Sequence, residues 1–194
     1  DGGVHSHINH LKGLVDAAHD YGLEKVFIHA FTDGRDVDPK SGTGFIGDIV
    51  DHIKGTSIKL ATVIGRYYAM DRDKRWERVK QSYDLLVHGT GNHSKDAVKS
   101  IEENYAKGLT DEFMPPIVMT DNEDQPLATI KEGDVVIFFN FRTDRGRQLT
   151  EVLSQKDHLE FNMHKMNLYY VTMTNYDDTF NNIYRIFDKD NITE

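Results

Sequence analysis

The residues best suited to chemistry in this chain are arginines. Arg35 lies in the stretch FTDGRDVDP, Arg66 near the head of GRYYAMDRDKRWER, and Arg142 and Arg145 in FNFRTDRGR. A guanidinium presents several donors in a rigid fork that matches a carboxylate or a phosphate bidentately, so a group of them suits a small substrate with more than one anionic group. Taken singly, an arginine in a loop reads as solvated charge; several at matching positions after predicted strands argue for convergence. Acid-base capacity accompanies them in Asp36, which follows Arg35, and in His5, within the opening stretch DGGVHSH. An aspartate in such a turn is also a common local cap, and Gly34 permits the positive φ that the turn needs. His5, His7 and His10 are spaced as imidazoles that could ligate zinc or copper. His10, however, falls on a predicted helix, and no cysteine or well-placed carboxylate completes a set.

Alternating elements must position these groups. Leu11, Leu14, Val15 and Ala18 mark a helical face, with Ser6 as its expected cap and Gly22 as its stop. Val26 to Phe31 reads as a strand covered on both faces, Ile46 to Ile53 as a helix and Ile58 to Ile64 as the next strand. Trp76, Val79, Tyr83, Leu86 and Val87 trace a helix to Gly89 with Trp76 in the core, and Ala97 to Tyr105 another, with a polar loop between. Prolines at 115, 116 and 126 punctuate an irregular excursion with a short strand at Ile117 to Met119. Val135 to Phe139 then reads as a central strand, Arg145 to Gln155 as a helix, Leu168 to Met173 as a strand and Ile183 to Phe187 as an edge strand.

The pattern predicts an α/β fold: a three-layer α/β/α domain with a largely parallel or mixed sheet, whose ligands bind beyond the carboxyl ends of the strands. Arg35, Arg66, Arg142 and Arg145 fall at such ends. FNFRTDRGR passes from strand to helix at about Asp144, leaving free N–H groups near Arg142 and Arg145, where anions are favoured. Arg147 then faces elsewhere in a structural or solvent role, and Arg75 and Arg78 sit on a helix surface. Neither Asp1-Gly2-Gly3 nor Ser41 to Gly44 matches a dinucleotide fingerprint.

Composition narrows the class. The chain has 194 residues, 38% hydrophobic and 28% charged, which suits one soluble globular domain with no membrane-length apolar run. A net charge of -9 opposes general nucleic-acid binding. No cysteine is present, and neither is a secretory signal pattern, so a cytoplasmic location is expected.

In order and spacing, DGGVHSH, FTDGRDVDP, GRYYAMDRDKRWER and FNFRTDRGR resemble the phosphotransferase, or substrate-binding, domain of the cofactor-independent phosphoglycerate mutases, from Asp1 to about Asp190. The resemblance implies that His5, Arg35, Asp36, Arg66, Arg72, Arg142 and Arg145 bind 2- or 3-phosphoglycerate, with Asp36 as the catalytic base. It implies two manganese ions and a serine nucleophile in an alkaline-phosphatase-like partner domain of the same polypeptide, and no metal in residues 1–194. Tyr176 and Asp177, in the segment returning toward that domain, suit a hinge or a plain turn. The expectation is therefore one domain cut from a longer enzyme. A catalytically inert module that binds a phosphometabolite or another anion is the alternative.

Overall fold

A mostly apolar run, Leu60-Ala-Thr-Val-Ile64, interrupted only by Thr62, dominates the strand Lys59–Gly65 (β2 of the fold), and every residue after Lys59 is buried. A run of that kind belongs in a strand covered on both faces. The computed structural model, which describes residues 2–187, shows this directly. Val63 faces a core built with Val15, Ile46, Ile49 and Ile101, while its neighbour Ile64 faces a second cluster with Ala69, Met70 and Leu85. Helices therefore lie on both sides of the first sheet. They are α1 (Ile8–Asp20), α2 (Gly42–His52) and α5 (Ala97–Ala106) on one side, and α3 (Arg66–Ala69) with the turn after α4 (Trp76–Tyr83) on the other. Asp1 and the end of the family likeness near Asp190 lie outside the described residues.

This first sheet is mixed. Its order is β1-β2-β4-β3, where β1 is Phe27–Thr32, β3 Asn92–Ser94 and β4 Ile117–Met119. The β1–β2 and β3–β4 pairs are parallel and β2–β4 is antiparallel. A second sheet of three parallel strands holds β5 (Val135–Phe138), β6 (Tyr169–Thr172) and β7 (Ile183–Arg185) in that order. Phe138 and Tyr170 pack inward against Val79, Tyr83, Leu149 of α6 (Arg147–Thr150) and Val152. Val135, Ile137, Tyr169 and Tyr184 remain exposed, with the two tyrosine rings stacked at 4.2 Å. The α/β class with parallel and mixed pairing is as expected, although the strands divide between two sheets.

Several local expectations are corrected. β5 is an edge strand, not a central one, because a short apolar run reports composition and not the number of neighbours. β1 is likewise at an edge, with Phe27 37% exposed. The cap of α1 is His7, whose Nδ1 accepts the Asn9 N–H, and not Ser6. The polar loop after Gly89 contains β3, whose Asn-His-Ser sequence carries no apolar signal. The last helix begins at Arg147, beyond Asp144. Beyond these corrections, Tyr176, which suits a hinge or a plain turn, is 2% exposed, and its hydroxyl donates to the Asn140 carbonyl at 2.6 Å.

A single-turn helix, Asp111–Phe113, clamps the strand ends that carry the arginines. Asp111 is 1% exposed; its carboxylate accepts from the Tyr105 hydroxyl and the Gly42 N–H, and its carbonyl accepts from Thr32 Oγ1 at 2.7 Å. Burial pushes the Asp111 carboxyl upward, against the pull of these bonds. Gly65, at the end of β2, donates its N–H to the Met114 carbonyl at 2.8 Å. A Cβ on Gly65 would stand 2.4 Å from the Glu112 carbonyl oxygen.

β1 and β5 both line a cleft of about 1000 Å³ between the sheets. Within it, His29 Nδ1 lies 2.8 Å from Thr62 Oγ1, and burial lowers the imidazole to about 4.

Two outcomes follow from this packing. Gly65→Ala forces backbone against backbone and should lower stability by about 1 to 3 kcal/mol or more, as overpacking does. Gly44→Ala, inside α2 with nothing near its added Cβ, should instead raise it by about 0.5 to 1 kcal/mol through helix propensity. Urea denaturation of both variants checks the contrast. His29 is neutral when folded, so below its unfolded value of 6.5 the unfolded chain gains the proton first. Stability should thus be complete above pH 6.5 and fall progressively toward pH 4. His29→Gln, followed by denaturation between those limits, should flatten that slope; an unchanged slope would clear His29 as its cause.

Candidate functional site

The site begins with a tight loop after β1. Asp33 Oδ1 accepts the backbone N–H groups of Arg35 and Asp36, each at 3.1 Å, which closes the turn that an Asp-Gly pair favours. Gly34 holds φ 65°, and a Cβ there would meet the Glu112 nitrogen at 2.7 Å. The turn thus presses on the Asp111–Phe113 clamp and sends Arg35 outward and Asp36 inward. Arg35 Nη1 contacts Glu112 Oε1 at 3.3 Å and its side chain is 62% exposed.

Arg66, the first residue after β2, is the inner member. It is 3% exposed, and its Nη1 donates to Asp33 Oδ1 at 2.6 Å and to Asp36 Oδ2 at 2.5 Å. Its Nη2 lies 3.1 Å from His5 Nε2, and Asp36 Oδ2 is 3.3 Å from the same ring nitrogen. A guanidinium only donates, so this contact uses the Nε2 lone pair and leaves the ring proton on Nδ1. That Nδ1 is buried with no hydrogen-bond partner among the described residues. Burial, then the charges of Arg66 and Arg142, lower the His5 imidazole and outweigh Asp36 and Asp144, so His5 is neutral at pH 7. Burial also opposes ionisation of Arg66 itself, yet Asp36 and Asp33 outweigh it and hold the guanidinium firmly charged.

The rim comes from the loop after β5. The Phe141 N–H donates to the His5 carbonyl at 2.9 Å, which stitches this loop to the opening stretch. Asp144 binds Arg142 through Nε at 2.9 Å and Nη2 at 3.2 Å, and also takes Arg72 Nη1 at 3.1 Å. Burial raises the Asp144 carboxyl, but these two arginines overcome it and hold it below its ordinary range. Arg145 donates to the Met70 carbonyl at 2.9 Å; burial, then the nearby Arg66 and Arg72, lowers its hold on its proton. Arg72 and Arg142 remain 48% and 45% exposed, so they can turn onto an incoming anion while Arg66 stays fixed below them.

All seven residues singled out in the sequence therefore lie around one junction of the segments after β1, β2 and β5. Three carboxylates escaped notice: Asp33, Glu112 and Asp144. Asp33 was legible, since an aspartate before Gly-x-Asp is an Asx-turn signal; Glu112 was not, because nothing local links it to Arg35. Arg147 has the structural role expected, donating to the Tyr176 carbonyl at 2.7 Å. Arg78 is no solvent residue, for its guanidinium covers the Tyr67 ring at 3.9 Å. His7 and His10 pair ring to ring at 5.8 Å. Among the described residues no group of three or more His, Cys, Asp or Glu could hold a metal ion. The carboxylates of the site are engaged by arginines, so the manganese pair implied by the family does not fit here.

Residues 1–178 match the family model described as BPG-independent PGAM N-terminus. Over 194 residues the chain is 64% identical to the 2,3-bisphosphoglycerate-independent phosphoglycerate mutase of Flavobacterium johnsoniae, covering 100% of this chain and 38% of that one. It is 52% identical over 190 residues to the protein of the same name in Clostridium kluyveri, covering 97% and 37%. Among solved structures, a phosphoglycerate mutase of Leishmania mexicana, crystallised at low cobalt concentration, superposes with a TM-score of 0.84 at 30% identity, over 92% of this chain and 34% of that one. The chain thus spans little more than a third of the length of the relatives it matches. A family match over nearly the whole chain, together with the shared fold, places it in the BPG-independent phosphoglycerate mutase family, as a representative of the N-terminal family segment.

Proposed function

We propose that residues 1–194 are the substrate-binding, phosphotransferase domain of an enzyme interconverting 3-phosphoglycerate and 2-phosphoglycerate in the cytoplasm. The observation that carries this reading is the junction where buried Arg66 and His5 meet the partly exposed carboxylate of Asp36, beside the exposed guanidiniums of Arg35, Arg72 and Arg142. A substrate with a carboxylate and a phosphate meets such a site from its anionic ends, and its hydroxyls are left to Asp36 and His5. Arg72 and Arg142 exchange Asp144 for a substrate anion, while Arg145 and Arg35 add positive charge at the rim. In this reading a serine of a partner domain in the same polypeptide takes the phosphoryl group. The glycerate is retained here, reorients, and receives the group on its other hydroxyl.

What these residues contribute is position and fixed charge. Equatorial oxygens of a transferring phosphoryl group gather negative charge, which preorganised guanidiniums stabilise without reorganisation at the moment of reaction. Asp36 accepts the hydroxyl proton as the acceptor oxygen attacks. Closure of the two domains excludes water, the competing acceptor.

In the longer enzyme, Arg142→Ala should raise KM for 3-phosphoglycerate by about 10- to 100-fold, since a charge-assisted hydrogen bond contributes about 1.5 to 3 kcal/mol. Arg147→Ala, which loses a bond to the Tyr176 carbonyl, should lower Tm and leave kcat/KM near wild type. Equal and mild kinetic effects from both would dismiss the anion pocket. The separated 194-residue chain should show no mutase or phosphatase turnover with or without added manganese, because this reading puts the nucleophile and metal ligands in the partner domain, and among the described residues no group of three or more His, Cys, Asp or Glu could hold a metal ion. Turnover by the pure fragment, assayed by coupled detection of 2-phosphoglycerate, would refute this division of labour. Tight stoichiometric binding of phosphoglycerate without turnover in the longer protein would favour the inert anion-binding module instead.

A further inference from the structure

One oxygen of Asp33 serves two separate segments of the site. Oδ1 accepts the N–H groups of Arg35 and Asp36, each at 3.1 Å, and also the Arg66 Nη1 proton at 2.6 Å. The same Nη1 reaches Asp36 Oδ2 at 2.5 Å. Arg66 therefore has two carboxylates beside one positive charge, and at 3% exposure it cannot rely on water for compensation. If Asp36 were its only counter-ion, moving that carboxylate to a substrate hydroxyl would leave a buried cation unpaired, which is strongly unfavourable. Asp33 removes that obstacle. Its side chain is only 13% exposed, half the 26% of Asp36, and three donors hold it in place. Burial raises its carboxyl, but the Asp36 N–H, the Arg66 guanidinium and the Arg35 N–H together keep it ionised at neutral pH.

We propose that Asp33 is a positioning residue for phosphoryl return: it remains on Arg66 as the permanent counter-ion, so that Asp36 can leave Arg66 and take the hydroxyl proton. This rests on the role proposed above for Asp36. No atom of Asp33 touches substrate in this scheme; it acts through Arg66 and through the turn that aims Asp36. The second carboxylate is thus the feature that lets one aspartate alternate between a buried arginine and a ligand.

The test uses the longer enzyme. Asp33→Asn retains an Oδ1 acceptor for the two N–H groups while it removes the charge and replaces the second oxygen with an NH2 group, and Asp33→Ser removes the charge and keeps a single, shorter hydroxyl acceptor. Both should lower kcat by about 10-fold or more, a loss on the scale of general acid-base catalysis. KM for 3-phosphoglycerate should stay within about 3-fold and Tm close to wild type, because the turn survives. A kcat near wild type in Asp33→Asn, or a kcat loss that merely tracks a falling Tm in both variants, would overturn the proposal. If Asp36→Asn itself leaves kcat intact, the proposed base is wrong and Asp33 falls with it. If Asp36→Asn is damaging and Asp33→Asn silent, only the positioning role is lost.

Discussion

A buried guanidinium is the constraint on which the rest of the site depends. Arg66 is enclosed at 3% exposure directly after a strand buried along nearly its whole length, and an isolated charge there would be untenable. Its environment answers that demand. Asp33 and Asp36 provide negative charge from the adjacent loop, and His5 stays neutral and offers a lone pair in place of a competing proton. Each of these groups is thus engaged with Arg66 before any ligand arrives.

Geometry at the centre is passed outward by backbone contacts. The Asp111–Phe113 turn wedges against Gly34, Gly42 and Gly65, three positions where a side chain would collide with it. It thereby fixes the spacing between the loop after β1 and the start of α3. On the other side, the Phe141 N–H bond to the His5 carbonyl joins the second sheet's loop to the opening stretch. Tyr176 holds that loop from beneath through the Asn140 carbonyl, and Gly146 leaves room for its ring, which a Cβ would approach to 2.5 Å. The rim arginines Arg35, Arg72 and Arg142 are consequently exposed side chains on a fixed base.

The members of the candidate site were legible in the sequence because they are marked by residue type and by position relative to predicted strands. Arginines after β1, β2 and β5 announce an anion site beyond the carboxyl ends of strands, and the turn FTDGRD announces a tight loop with an inward carboxylate. Apolar periodicity likewise located α1, α2, α4 and α5, since a helix buries one face at its own repeat regardless of its partner. Local sequence therefore determined most of the elements and nominated the arginines and the candidates for acid-base work. Tertiary structure alone decided which strands are neighbours, that β5 is an edge and that the strands form two sheets, because pairing joins residues far apart in the chain. It alone decided which arginine is buried and which are exposed, and which carboxylate each one meets. Glu112 finds Arg35, and Asp144 finds Arg72, across more than 70 positions of sequence, and a charge's role is set by that partner and its burial, which no local pattern encodes.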